Sequence, residues 1–258
     1  MKITDIYTYL SELYPESLRL DWDNDGIMLC PDTNAEVSGV LTALDVTDEA
    51  ISEAERLGFN LILTHHPLIF HKLSSLDAEK PHEALIIKLI KKDISVISLH
   101  TRFDRGANGL NDGLCAALGF SPHGVFGLAE DGFSLGRIVT SDRKVSGCEL
   151  AHDVASRLNA GVRLFDAGRP IQKIGLVSGG GKDYIAAAAK AGLDAFISGD
   201  ISHDAAVAAR EYGLTVIDAG HCATERICTA IFKEALDKLS PQLKTAQFSQ
   251  DLCGEFVL

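Results

Sequence analysis

Leu61-Ile62-Leu63-Thr64-His65-His66-Pro67-Leu68-Ile69-Phe70 decides how this chain is read. Leu61 to Thr64 is a short apolar run of the kind that forms a buried strand. It ends in two adjacent histidines, and a proline follows at once. Successive side chains of a strand point to opposite faces. Both rings can therefore reach one place only if the chain bends at the strand end. Pro67 fixes its own φ and biases His66 toward an extended conformation, which gives the bend a cause. Imidazole is the commonest metal ligand among side chains. On this segment alone two readings stay open: a metal site, or one core histidine beside one surface histidine.

Two further segments repeat the pattern. Ile94 to Leu99 reads as a second buried strand and runs straight into His100-Thr101-Arg102-Phe103-Asp104. Leu214 to Asp218 reads as a third and empties into Ala219-Gly220-His221-Cys222-Ala223-Thr224-Glu225. A helical pattern follows with Ile227, Ile231, Leu236 and Leu239. A helix beginning near Cys222 puts His221 and Glu225, four residues apart, on one side of its first turn. Its N-terminus favours the negative Glu225. All three clusters fall just past the carboxyl ends of predicted strands, where open α/β sheets place their sites.

The rest of the chain alternates in the same way. Ile3, Ile6, Leu10 and Leu13 mark a first amphipathic helix, and Pro15 ends it. A polar loop, Asp21 to Gly26, carries the single tryptophan, Trp22, which reads as a core or interface anchor. Val37 to Leu44 is a predicted strand, Asp48 to Leu57 a helix closed by Gly58, Pro81 to Lys92 a helix, and Leu110 to Leu118 a helix closed by Gly119. Beyond the Gly-rich stretch 124–132, predicted strands cover 134–140, 162–165, 171–177 and 195–198, and predicted helices cover 148–158 and 184–191. Gly199 to Asp204 opens one more helix. This alternation predicts an α/β protein of two three-layer α/β/α units with mostly parallel sheets. The second unit is inserted in the first, with expected boundaries at 1–125 plus 220–258 and at 126–219.

The chain has 258 residues, 46% of them hydrophobic, and a net charge of −12. That length and composition allow one large or two modest domains with ample cores. So acidic a chain is disfavoured as a partner of duplex nucleic acid, which is bound through Lys and Arg on phosphate. The six cysteines show no C-x-x-C spacing, so a zinc knuckle or a thioredoxin-type motif is unsupported. No signal peptide and no stretch of 18 uninterrupted apolar residues is visible. The expectation is a cytoplasmic protein with reduced thiols and no membrane association.

The three motifs Thr64-His65-His66-Pro67, His100-Thr101-x-x-Asp104 and Gly220-His221-x-Ala223-Thr224-Glu225 resemble those of the Nif-three-like dinuclear metal-centre family, also known as GTP cyclohydrolase I type-two homologues. Supporting similarities lie at Trp22-Asp23-Asn24-x-Gly26, Asn108-Gly109-x-Asn111-Asp112 and Ser198-Gly199-Asp200-x-x-His203-Asp204. The resemblance implies the Nif-three-like fold in its short form, two divalent metals, and a homohexameric toroid whose sites face an internal cavity. Carried over residue by residue, it makes His65, His66, Asp104, His221 and Glu225 the metal ligands. Two departures stand out. Cys222 replaces a usual Tyr and would bring a thiol beside His221, unless it is a small hydrophobe turned away. Arg102-Phe103 replaces Asn-Leu, and Arg102 could change what the site accepts.

Mixed N/O ligation suits zinc, iron, manganese, cobalt or nickel. Two ions held by five side chains keep coordination positions open, which suits hydrolysis of a phosphoester, amide or ring C–N bond. His100 reads as a residue that orients Asp104 or a water. His203 reads either as a proton carrier or as an ordinary helix-surface histidine. Ser178-Gly179-Gly180-Gly181-Lys182 lacks the G-x-x-x-x-G-K-[ST] spacing. Its amides could hold an anion, or it is a glycine turn packed close to its neighbours. His71, His82, His123 and His152 read as surface residues. Two functional classes follow. One is a metal-dependent hydrolase acting on a nucleotide-like or other small phosphorylated compound. The other is a non-enzymatic metal-binding or regulatory protein, either a metallochaperone or a partner of transcription factors.

Overall fold

Central strands buried at every position organise the protein, a computed structural model in which residues 1–249 are described. In chain order its regular elements begin with α1 (Ile3–Leu13), β1 (Gly26–Leu29), β2 (Val40–Ala43), α2 (Asp48–Leu57), β3 (Leu61–Thr64), α3 (Pro81–Lys91), β4 (Ser95–Ser98) and α4 (Thr101–Arg105). Next come α5 (Leu110–Ala117), β5 (Gly124–Phe126), β6 (Gly136–Val145), α6 (Gly147–Leu158), β7 (Arg163–Phe165), β8 (Ile171–Gly180) and α7 (Ile185–Lys190). The series closes with β9 (Ala195–Gly199), α8 (His203–Glu211), β10 (Thr215–Asp218), α9 (His221–Glu225), α10 (Cys228–Leu239) and β11 (Thr245–Gln247).

The chain divides into two compact units. The first runs to Gly106 and resumes at Cys228; the second covers Ala107–Ile227. Against the expected boundaries at 125/126 and 219/220, the chain passes between units at 106/107 and 227/228. Hydrogen bonds to β8 explain the change. Asn111 of α5 accepts from the Ser178 amide at 2.7 Å, and Thr224 of α9 accepts from the Gly179 amide at 2.9 Å.

In the first unit the strand order is β1-β4-β3-β2-β11. All pairings are parallel except β1 with β4. Leu41 and Ala43 of β2 and Ile62 of β3 face one way and pack on Ala50, Ile51 and Ala54 of α2 and on Ile86 and Leu89 of α3. Thr42 faces the other way, where its hydroxyl donates to Thr229 O of α10 at 2.9 Å. Tyr9 of α1 donates to Ala235 O of α10 at 3.1 Å. Helices thus cover both faces, as buried parallel strands require. Helix α2 is capped by Thr47, whose hydroxyl accepts from the Ala50 amide, and is ended by Gly58 in the left-handed region at φ 69°.

The second unit has the order β5-β6-β8-β9-β10-β7. Ala195 and Ile197 of β9, Val139 of β6 and Ile217 of β10 pack on α5 and α6. Their alternates Phe196, Ile138 and Val216 pack on α7 and α8. The two pairings joining β8, β9 and β10 are parallel, whereas those of β5, β6 and β7 are antiparallel. The α/β class holds, and the second sheet is less parallel than expected. The departure has a topological cause: β5 and β6 are joined without a crossover helix, which only antiparallel neighbours permit.

Candidate metal centre

Strands β3 and β4 are paired in parallel, with Thr64 opposite Ser98, so the residues past their ends come out side by side. The chain bends at His65 and His66, where the Thr64 hydroxyl donates to His66 O and the His66 amide to Leu44 O. The His65 and His66 ring centroids lie 5.1 Å apart. His100 follows β4 and stands 5.1 Å from the His65 ring and 5.9 Å from the His66 ring. One nitrogen of each of these three imidazoles lies within 4.8 Å of the other two. Asp104, one turn into α4, brings Oδ1 to 3.6 Å from His65 Nε2.

The other ring nitrogens fix the chemistry. His65 Nδ1 donates to Leu99 O at 2.9 Å, His66 Nδ1 to Asp45 at 2.7 Å and His100 Nδ1 to Asp23 at 2.7 Å. A carbonyl or carboxylate oxygen can only accept, so each Nδ1 carries the proton. Each ring is thereby oriented with Nε2 turned away from its Nδ1 partner, the arrangement typical of histidines that bind metal.

In the second unit, Gly220 (φ 80°) turns the chain from β10 into α9. Asp218 braces that turn by accepting from the Gly220 and Ile201 amides and from Arg163. His221 Nδ1 bonds Asp200 at 2.8 Å, and its Nε2 lies 3.0 Å from Glu225 Oε2. The Glu225 hydrogen bond and charge, with help from Asp200, raise the His221 pKa to about 9 against the opposing effect of burial. The expected i,i+4 pairing is present. The helix is only α9, however; a turn at 226–227 separates it from α10.

Glycine explains how closely this cluster packs. A Cβ on Gly179 (φ +62°) would meet Glu225 Oε1 at 2.1 Å, and one on Gly199 would meet backbone atoms of Gly220 and His221 at 2.6 Å. The glycine run is therefore a close-approach device. Three of its amides are taken: Ser178 N by Asn111, Gly179 N by Thr224 and Gly181 N by Gly199 O. Of the two readings of this run, these contacts favour the glycine turn packed close to its neighbours.

The other site residues fall as follows. His203 is exposed at the start of α8 and lines a hollow of about 330 Å³ with Leu164, Phe165 and Asp166. Arg102 is wholly buried, with Nε 3.1 Å from Asp25 and contacts to Ser11, Tyr14 O and Tyr7. Its guanidinium is thus engaged by α1 and Asp25. Cys222 is disulfide-bonded, which corrects the expectation of reduced thiols at this position, and Cys253 lies outside the described residues. Cys30, Cys115, Cys148 and Cys228 are in no disulfide. Trp22 is 62% exposed, so it is no core anchor. His71, His82, His123 and His152 are on the surface, as expected. Sequence reasoning missed Asp45, Asp200 and Asp23. The first two follow β2 and β9 closely, so the strand-end rule that found the histidines could have found them.

Imidazole rings held in fixed orientations, together with buried carboxylates, fit a divalent metal of the zinc, iron, manganese, cobalt or nickel group. Residues 1–251 match the Duf34/NIF3 (NGG1p interacting factor 3) family. The chain belongs to that family. Among Duf34/NIF3 relatives, a GTP cyclohydrolase 1 type 2 homolog of Clostridium perfringens is 34% identical over 87% of both chains. Its counterpart in Clostridium acetobutylicum is 31% identical over 92% of this chain and 90% of the relative. The crystal structure of Staphylococcus aureus hypothetical protein SA1388 superposes with a TM-score of 0.86 at 29% identity, covering 100% of this chain and 99% of that one. No helix among the described residues is long and apolar enough to cross a membrane.

Proposed function

We propose that this Duf34/NIF3 protein is a metal-dependent hydrolase of a nucleotide-like or other small phosphorylated compound. His65, His66, Asp104, His221 and Glu225 hold two divalent ions in this reading. The observation that carries it is that Nδ1 of each of these three histidines is bound to an oxygen while a candidate ligand carboxylate stands beside Nε2 in two of them, Asp104 beside His65 and Glu225 beside His221. When bound, such ions polarise a substrate oxygen and activate water. The chain's own residues orient the rings: Asp45 holds His66, Asp200 holds His221 and Leu99 O holds His65. His100, held by Asp23, is placed to orient or exchange a proton beside His65. The name shared by the Clostridium relatives supports nucleotide chemistry, and the family resemblance supports a homohexamer.

Metal analysis of the purified protein, followed by a panel of nucleotides and phosphoesters, tests the proposal. Two ions per chain and metal-dependent hydrolysis are expected. Asp104→Ala and Glu225→Ala should lose metal, while His203→Ala keeps it. Two bound ions with no hydrolysis anywhere in the panel would favour the non-enzymatic reading. Light scattering coupled to gel filtration should give six times the chain mass; a metal-loaded monomer would remove the toroid.

A further inference from the structure

The only tryptophan of the chain is exposed beside the histidine cluster. Trp22 lies with its ring centroid 6.2 Å from Phe70, at 61° between planes, and 6.2 Å from His100. Phe70, 40% exposed, is itself 6.3 Å from His100. The three rings form one aromatic wall. Its inner member, His100, stands 5.1 and 5.9 Å from the His65 and His66 rings.

The wall is held from behind. Asp23, next to Trp22, is buried and accepts from the Thr101 amide and hydroxyl and from His100 Nδ1. The Leu20 amide donates to Thr101 Oγ1 at 3.0 Å. The Asn24 side chain donates to Ile69 O, tying the Trp22 loop to the segment that carries Phe70. A large indole left in water at the tip of a loop fixed by five hydrogen bonds is costly apolar exposure. The same carboxylate that fixes the loop fixes His100.

We propose that Trp22 and Phe70 bind a planar heteroaromatic ring, the base of a nucleoside-type small molecule, with its polar edge toward the histidine cluster. The inference deepens the proposed hydrolase reading and rests on it. The ring class follows from the wall. An indole face gives its best contact to a flat π-system and tolerates any base. The edge-to-face setting of Phe70 borders the flat ring on a second side. A free phosphate or sugar phosphate has no face to stack.

Trp22 is its own reporter, because the emission of the full-length metal-loaded protein comes from this one indole. Titration with adenosine, guanosine and cytidine should quench it saturably, and ribose 5-phosphate and inorganic phosphate should not. Equilibrium dialysis should show nucleoside affinity falling roughly tenfold in Trp22→Leu and in Phe70→Leu. Trp22→Tyr should restore most of it, and metal content should be unchanged in all three. Three results would each overturn the platform: no quenching by nucleosides in metal-loaded protein, quenching by inorganic phosphate alone, or equal affinity in Trp22→Leu. An emission already blue-shifted and indifferent to nucleosides would mark Trp22 as covered by a second copy, and would overturn it as well. Saturable quenching in a protein that holds no metal would uphold the platform and sink the metal reading, so the two failures are distinguishable.

Discussion

Asp23 binds His100 and the start of α4 at once: one carboxylate oxygen takes His100 Nδ1 at 2.7 Å, and the other takes the Thr101 amide at 3.0 Å and hydroxyl at 2.6 Å. Burial alone would raise its pKa, but the hydrogen bonds and charge of His100, with the Thr101 bonds, hold it down at about 2. A depressed carboxylate contributes stability that is present above the ordinary value near 4 and is lost as pH falls through the folded value. Asp23→Asn keeps the shape but cannot accept at both oxygens. It should lower unfolding free energy by about 2 kcal/mol at neutral pH. In urea melts the gap from wild type should narrow between about pH 4 and about pH 2. A gap constant with pH would contradict this account.

Gly179→Ala should be far worse than an ordinary glycine substitution. The added methyl meets the Glu225 carboxylate at 2.1 Å and His221 Nε2 at 3.2 Å, and φ +62° disfavours any Cβ. Glu225 must turn away, so the variant should fold with lowered stability and lose metal. Gly192→Ala is the control: φ is also positive (+67°), but nothing lies within 4 Å. Elemental analysis of both variants decides it. Equal metal content would show that Glu225 moves freely and that the close approach has no consequence.

Arg102 and Asp25 form a buried pair, both side chains fully hidden. Removing one partner of such a pair typically costs about 3–5 kcal/mol, and Arg102→Met should fall in that range by chemical denaturation. Burial already pushes the Asp25 carboxyl up, with Arg102 opposing it. Without the guanidinium the penalty should grow as pH rises, because an acid raised in the folded state destabilises where the unfolded chain is ionised. Arg102→Met with Asp25→Asn should recover part of the loss. A double variant no better than the single one would place the cost in packing.

Helix ends and buried strands were legible because each carries a local physical mark. Gly58 and Gly119 stop α2 and α5 with φ 69° and 75°, and the apolar runs of β3, β4 and β9 have no polar face to hide. Strands β1, β5 and β11 were not legible. They are three or four residues long, lie at sheet edges and show no clean alternation. The glycine run read as a break in the pattern, yet β8 extends through Gly180, because the residue pairing with Gly199 needs no side chain. At the site, the histidines were visible as polar groups at the ends of apolar strands. Asp23, Asp45 and Asp200 were not, since a single aspartate in a loop looks like a turn former. Their roles depend on which ring each one meets in space. Trp22 read as a core or interface anchor; a loop tied down by Asp23 and Asn24 holds it out of the core.

His221 offers the last test, on the metal reading itself. In the metal-free chain Glu225, then Asp200, raise its pKa to about 9. That stability is fully present below the ordinary histidine range and is lost as pH rises through about 9. A metal takes the same Nε2 lone pair, so it must displace the proton. Binding at pH 7 should therefore release close to one proton from this site. Affinity should climb roughly tenfold per pH unit until about pH 9. Asp200→Asn removes one of the two raising carboxylates, so the proton count at pH 8 should fall and the affinity plateau should shift to lower pH. Calorimetry in buffers of contrasting ionisation enthalpy measures both. Affinity flat between pH 6 and 8, with no proton released, would mean that no metal binds at His221.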